Sequence, residues 1–166
     1  MSDCSFTESD ENLKRIIYAI RKYQPEVILV NAISDRHPDH GRGSQIVSRA
    51  NFLSGLVRIE TKDNGVIQMP WRPKNIYHYI QFRYIKPDFV VDISDEWETK
   101  LKSIKAFKSQ FHDPNSDEPE TLIASSKFIK YIEARAIEFG ASIEVEYGEG
   151  FTVEKPLGVD NLISLK

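Results

Sequence analysis

Leu13, Ile16, Ile17 and Ile20 recur at three- and four-residue spacing, with Lys14, Arg15, Arg21 and Lys22 outside that set. This is the periodicity of a helix with one apolar stripe. Ser9 precedes it as a capping hydroxyl, and the acids that follow suit a first turn, where the helix dipole favours negative charge. Pro25 ends the helix. Val27–Ala32 is a short apolar run, which predicts a buried strand of a parallel sheet. After Asp35–His40 a second helix is predicted through Leu53 or Leu56, with Ile46, Ala50 and Leu53 on one face and Gly55 as its stop. Arg58–Pro73 contains Asp63-Asn64-Gly65, a hairpin turn signal, and its prolines argue against a central strand, so it reads as an excursion over the surface.

The second half keeps this alternation. Ile76–Phe82 alternates and is rich in aromatics, which predicts a strand with His78 on the face of Ile76 and Ile80, opposite Tyr77 and Tyr79. Phe89–Ile93 is a further strand. Ser94 opens a third helix, with Trp97, Leu101, Ile104 and Phe107 as its stripe. The stretch from His112 to Pro119 is a loop by composition, with His112 facing solvent or touching substrate. Ser125 or Ser126 begins a last helix, with Phe128, Ile132, Ala136 and Phe139 spaced for burial and Gly140 as its stop. Ile143–Tyr147 reads as a strand and Gly148-Glu149-Gly150 as a turn. Helices that feed interior strands, whose ends carry polar residues, are the logic of an α/β fold.

Bulk properties narrow the classes. The 166 residues suit one domain, and 40% hydrophobic with 28% charged residues is an ordinary globular composition. A net charge of −3 argues against a nucleic-acid footprint. The single cysteine, Cys4, excludes an internal disulfide and suits a reducing compartment. No apolar run approaches the roughly 18–20 residues that span a bilayer, and the opening residues lack a signal-peptide pattern. A cytoplasmic protein without membrane or nucleic-acid partners is therefore expected. Gly41-Arg42-Gly43 lacks the lysine and hydroxyl of a phosphate-binding loop.

The chemistry is concentrated in Asp35-Arg36-His37-Pro38-Asp39-His40, where the first strand gives way to a helix. Ligands of open α/β sheets bind at the carboxyl ends of strands. His37 and His40 lie three apart and can face one way if the chain has begun to coil. Neutral imidazole is a good zinc ligand, and a nearby carboxylate, here Asp39, commonly holds the second ring nitrogen. The alternative is a polar turn in which Asp39 caps the helix and the histidines are solvated.

Other blocks bear on that choice. Asn31–Ser44, Ser54-Gly55-Leu56, Tyr77–Gln81, Lys86–Ile93, Lys108–Phe111 and Tyr147–Phe151 follow one another in the chain. Together they resemble the PIG-L/LmbE-like zinc deacetylases, in the family's order, from about Glu11 to Leu165. The nearest branch is that of bacillithiol biosynthesis, which removes acetate from N-acetylglucosaminyl-malate.

The resemblance implies a three-layer Rossmann-like parallel sheet flanked by helices, and one deacetylase domain over residues 1–166. It also implies a Zn2+ cofactor, a small amino-sugar conjugate as substrate and a homo-oligomer. By motif position His40 matches the third zinc ligand. His37 matches the histidine that stabilises the oxyanion or protonates the departing amine, and Asp39 the carboxylate that orients and charges it. Arg36 is placed to meet an anionic group of the substrate, with an ion pair to Asp35 as the rival role. His78 and Gln81 are candidates to line the substrate pocket, His78 being otherwise a hydrogen-bonded core residue. A glycine is usual where Glu144 stands.

One departure is large. The family's first motif, Ala-His-Pro-Asp-Asp-Glu-like, supplies two zinc ligands and the general base, and it is absent. The expectation is thus an amino-terminally truncated domain, its first strand–helix units missing, with an incomplete zinc site. The alternative is a metal-free remnant that acts only as a binding or assembly subunit.

Overall fold

The structure is a computed structural model that describes residue 4, residues 6–107 and residues 121–165. His112, with its loop, and the Lys108–Phe111 block lie outside the described residues. The chain divides into two compact units, Met1–Asp88 with Phe151–Leu162, and Phe89–Gly150 with Ile163–Lys166.

In the first unit, α1 (Asp10–Tyr23) begins as its sequence dictates, the Ser9 hydroxyl accepting the Asn12 N–H at 3.2 Å. It ends at Gln24, whose left-handed φ of 46° turns the chain into β1 (Val27–Val30). Next come α2 (Pro38–Ser54), the hairpin β2 (Lys62–Asp63) and β3 (Val66–Ile67), and β4 (Asn75–Tyr79). Asn64 and Gly65, at φ 50° and 84°, make the hairpin turn, where two left-handed residues match the twist of the strands. Leu13, Ile17 and Ile20 of α1 close on Ile46 and Ala50 of α2, and Ile28 of β1 packs against this core with Ile59 and Trp71 from the excursion.

β1 runs parallel to β4, with Val27 opposite Asn75 and Val30 opposite His78. The next strand, β6 (Gly148–Val153), lies antiparallel to β4, with His78 opposite Thr152. The order in this unit is β1-β4-β6, so the sheet is mixed and not wholly parallel as expected. Strand direction depends on the route of the connecting chain, which periodicity does not report. Nor is β1 buried on both faces. Val30 is buried, but Leu29 is 60% exposed.

Arg21 overturns a second expectation. It stands outside the apolar stripe, yet it is 3% exposed. Its guanidinium donates to the carbonyls of Ser54 at 2.9 Å, Leu56 at 2.8 Å and Ile59 at 2.5 Å, and to the Thr61 hydroxyl at 3.0 Å. These groups emerge where α2 ends, so a side chain of α1 adds donors to a helix terminus whose Ser54 and Leu56 carbonyls otherwise take the Trp71 and Ile59 N–H. Gly55 follows α2 at φ −83°, not left-handed. Its need for a bare Cα is steric, since a Cβ there would meet Arg72 Nε at 2.6 Å.

The second unit holds β5 (Phe89–Asp92), α3 (Trp97–Lys105), α4 (Ser126–Ala141) and the first half of β6, which lies beside β5. Ser94 does not open α3. Its hydroxyl donates to the Asp92 carboxylate at 2.7 Å and accepts the Tyr147 N–H at 3.2 Å. The helix starts at Trp97, which stacks on Tyr147 with ring centroids 4.5 Å apart.

Ile143–Tyr147 forms no strand. The segment turns, with Val145 N–H returning to the Gly140 carbonyl at 3.0 Å, and the strand falls on Gly148–Val153 instead. The glycines read as turn residues are packing residues. A Cβ at Gly148 would meet Val90 Cγ1 at 2.6 Å, and one at Gly150 the Phe139 ring at 2.7 Å. Gly140 is likewise no helix stop but a close approach, its would-be Cβ 2.8 Å from the Val145 carbonyl. Glu144 has φ 61°, the conformation that explains why a glycine suits this position. No helix among the described residues is long and apolar enough to cross a membrane.

Replacing Arg21 by Met should remove four hydrogen bonds, leave the Ile59 carbonyl without this donor and cost about 3 kcal/mol, seen as a lower urea midpoint. Glu144→Gly should relieve the left-handed strain and gain about 0.5–1 kcal/mol by the same measurement. A loss of stability in the glycine variant would refute that reading of φ.

Candidate functional site

The carboxyl ends of β1 and β4 are adjacent in the parallel pair, so Asn31–His37 and Gln81–Arg83 leave the sheet at one edge, within the first unit. Pro38 occupies the first turn of α2, where its missing N–H costs nothing and its fixed φ suits the helix. His37 is the N-cap, with φ −81° and ψ 125°. Coiling from there brings the His37 and His40 rings to 5.2 Å between centroids.

Asp35 anchors the group. Its side chain is 0% exposed. The carboxylate accepts the Arg83 N–H at 2.7 Å, the Phe82 N–H at 3.2 Å and the His40 Nδ1–H at 2.6 Å. Burial pushes the Asp35 pKa up. The Arg83 amide, then the His40 ring and the amides of Arg36 and Phe82, outweigh it and hold the carboxyl below its ordinary value. It is therefore ionised near neutrality.

The partners also fix where each imidazole carries its proton. Ala32 N–H is only a donor, and it reaches Gln81 Oε1 at 3.2 Å beside Asn31 Nδ2 at 3.1 Å. The Gln81 amide nitrogen must then point the other way, and it lies 3.3 Å from His40 Nε2. His40 accordingly donates through Nδ1 and keeps its lone pair at Nε2. In His37 the order is reversed. Nδ1 accepts the Asp39 N–H at 3.3 Å, so Nε2 bears the proton, 3.5 Å from Cys4 Sγ. Two neighbouring histidines thus offer opposite groups, one a lone pair and the other an N–H.

Several sequence expectations meet this geometry differently. The Asp39 carboxylate does not hold the His37 ring. It accepts the Cys4 N–H at 2.6 Å and pairs with Arg42 at 3.2 Å, and only the Asp39 backbone N–H touches His37. The carboxylate behind an imidazole is Asp35, behind His40. Arg36 forms no ion pair with Asp35, and its guanidinium lies 5.5 Å from the Phe82 ring centroid.

His78 is a core residue, 2% exposed. Its Nδ1 lies 3.0 Å from both Ser44 Oγ and the Asn31 carbonyl, and its Nε2 3.1 Å from Glu154. With both nitrogens engaged, it does not line an open pocket. Gln81 is at the site, but as a partner of His40.

A metal needs more than this. Catalytic zinc takes three protein ligands. Among the described residues no group of three His, Cys, Asp or Glu side chains could hold a metal ion. These residues alone do not fit zinc.

Comparison with known proteins gives the site a context. The chain is similar to the diacetylchitobiose deacetylase of Thermococcus kodakarensis, 28% identical over 151 residues. The match covers 89% of this chain and 52% of that protein, so the chain spans about half the length of its curated relative. Among solved structures, a conserved protein of Thermus thermophilus superimposes with a TM-score of 0.81 at 23% identity, over 96% of this chain and 65% of that one. The N,N'-diacetylchitobiose deacetylase of Pyrococcus horikoshii gives 0.73 at 26%, over 92% and 54%. The 4-carboxy-2-hydroxymuconate hydratase of Pseudomonas putida gives 0.68 at 16%, over 97% and 65%. No protein-family model matches. The fold is mixed α/β, with a parallel-containing sheet flanked by helices, and it is shared with proteins of different chemistry.

Sequence reasoning missed Asp35 as the partner of His40 and Asn31 as the residue that orients Gln81. Both lie in the block that carried the resemblance, but neither stands at a spacing that a helix or strand template scores.

The Asp35 pKa is lower in the folded than in the unfolded chain. Its stabilising contribution is therefore complete above the ordinary carboxylate value of about 3.9 and is lost as pH falls through the folded value. Asp35→Asn should be less stable near neutrality by about 2–3 kcal/mol and should lack this part of the acid sensitivity. Urea midpoints at neutral and acid pH measure both effects.

Proposed function

We propose that this chain carries part of the active site of a zinc-dependent N-deacetylase acting on an acetylated amino-sugar conjugate, in its finest form N-acetylglucosaminyl-malate in bacillithiol biosynthesis. The observation that carries this reading is the opposed pair at the carboxyl edge, His40 with its Nε2 lone pair and His37 with its Nε2–H. Similarity to two diacetylchitobiose deacetylases supports the same class of reaction.

Amide hydrolysis needs hydrogen-bond donation to the developing oxyanion and a proton for the departing amine. His37 presents an N–H suited to the first task, and the second asks for its imidazolium form. His40, held by the Asp35 carboxylate, has the tautomer of a metal-ligating histidine. Arg36 offers a cation to a carboxylate of the substrate. The further ligands and the general base come, in this reading, from sequence outside these 166 residues. The reading carries with it a cytoplasmic, homo-oligomeric enzyme with a small-molecule substrate. The lack of a three-donor group among the described residues favours a second reading, a metal-free binding or assembly subunit.

The experiment has two arms. The purified 166-residue chain should hold less than one zinc after dialysis and release no acetate from N-acetylglucosaminyl-malate or N,N'-diacetylchitobiose. A longer polypeptide with an Ala-His-Pro-Asp-Asp segment ahead of the chain should release acetate from the first. In that polypeptide His40→Ala should lose the metal, while His37→Ala should keep it and lower kcat by about 100- to 10,000-fold. Stoichiometric zinc in the short chain would refute the incomplete site. Failure of the longer polypeptide to release acetate would leave the binding subunit as the better reading.

A further inference from the structure

We propose that Gln81 is a cap on His40: its carboxamide N–H occupies the lone pair that His40 offers, and any cation or electrophile using that nitrogen must first displace it. The inference deepens the reading of His40 given above and rests on it for its meaning, though the geometry stands by itself.

The cap is held in one orientation by the Ala32 N–H, a backbone donor that cannot reverse its role. Gln81 Oε1 accepts from Asn31 Nδ2 at 3.1 Å and from Ala32 N–H at 3.2 Å. Flipping the carboxamide would set its NH2 against the Ala32 N–H and its oxygen against the His40 lone pair, two repulsive contacts in place of attractive ones. Asn31 is itself confined. Its carbonyl faces His78 Nδ1 at 3.0 Å, and a Cβ on Gly43 of α2 would stand 3.1 Å from its Oδ1. On the far side of the imidazole, the buried Asp35 carboxylate takes Nδ1–H at 2.6 Å and keeps the lone pair on Nε2. The ring is therefore clamped from one side and capped from the other.

The two contacts differ in strength. The Asp35 bond is short and charge-assisted, whereas the Gln81 contact is neutral and long at 3.3 Å. An incoming ligand would break the weak one and keep the strong one. The capped site satisfies its own acceptor and opens only to a group that binds His40 better than a single amide does.

The test uses the 166-residue chain and diethyl pyrocarbonate, which acylates an imidazole nitrogen through its lone pair. Fragmentation mass spectrometry separates modification at His40 from that at His37. Gln81→Met keeps the length of the side chain and removes the amide. It should raise the His40 rate about 2- to 10-fold, the factor that one neutral hydrogen bond holds back, and leave His37 unchanged. Gln81→Ala removes the amide together with the rest of the side chain and should likewise raise the His40 rate, leaving His37 unchanged.

An unchanged His40 rate in Gln81→Met, or an equal rise at both histidines, would overturn the cap. Protection of the core His78 reports that each variant is folded. Should the Met variant lose that protection, the Ala variant decides, and a His40 rate not above the parent's overturns the proposal. No metal or substrate enters the measurement, so its failure is distinct from a failure of the deacetylase reading.

Discussion

A carboxylate with no exposure to solvent is tolerable only when its oxygens are satisfied, and at Asp35 the Phe82 and Arg83 amides and the His40 ring do this. Those partners come from different parts of the chain. Two amides lie just beyond β4, the imidazole is in the first turn of α2, and Asp35 stands in the loop after β1. Satisfying one buried charge therefore draws the exits of two parallel strands and the start of a helix to one place. The same bond decides the His40 tautomer, so a folding constraint and a chemical property have one cause.

The helix start adds the complementary half. His37 uses its ring, not a hydroxyl or carboxylate, to cap α2, which leaves its second nitrogen protonated and facing Cys4 Sγ. A donor and an acceptor on rings 5.2 Å apart between centroids suit a polar group that needs both. Since the fold is shared with a hydratase as well as with deacetylases, the sheet does not decide the chemistry. In the function proposed above it is decided by what reaches this edge.

Stability elsewhere depends on less conspicuous contacts. Arg21 satisfies the end of α2 from α1, a role normally filled by residues at the terminus itself. In the second unit, glycines permit the close approaches between α4, β5 and β6 that larger residues would block.

What the sequence by itself determined is what depends on near neighbours. The Ser9 cap, the stripe of α1, the Asn64-Gly65 hairpin and the strand-to-helix turn at Pro38 are each set within a few residues, because capping, periodicity and turn conformation are local. The crowding of ionisable side chains in Asp35–His40 was legible for the same reason. Tertiary structure decided what depends on distant partners. The antiparallel direction of β6, the burial of Arg21 and His78, the transfer of the imidazole-holding role from Asp39 to Asp35, and the turning of Gln81 toward His40 all follow from groups far apart in the chain. The shift of the last strand from Ile143–Tyr147 to Gly148–Val153 has the same origin. Glycine reads locally as a turn, but at positions 148 and 150 it is there to let Val90 and Phe139 lie against the strand.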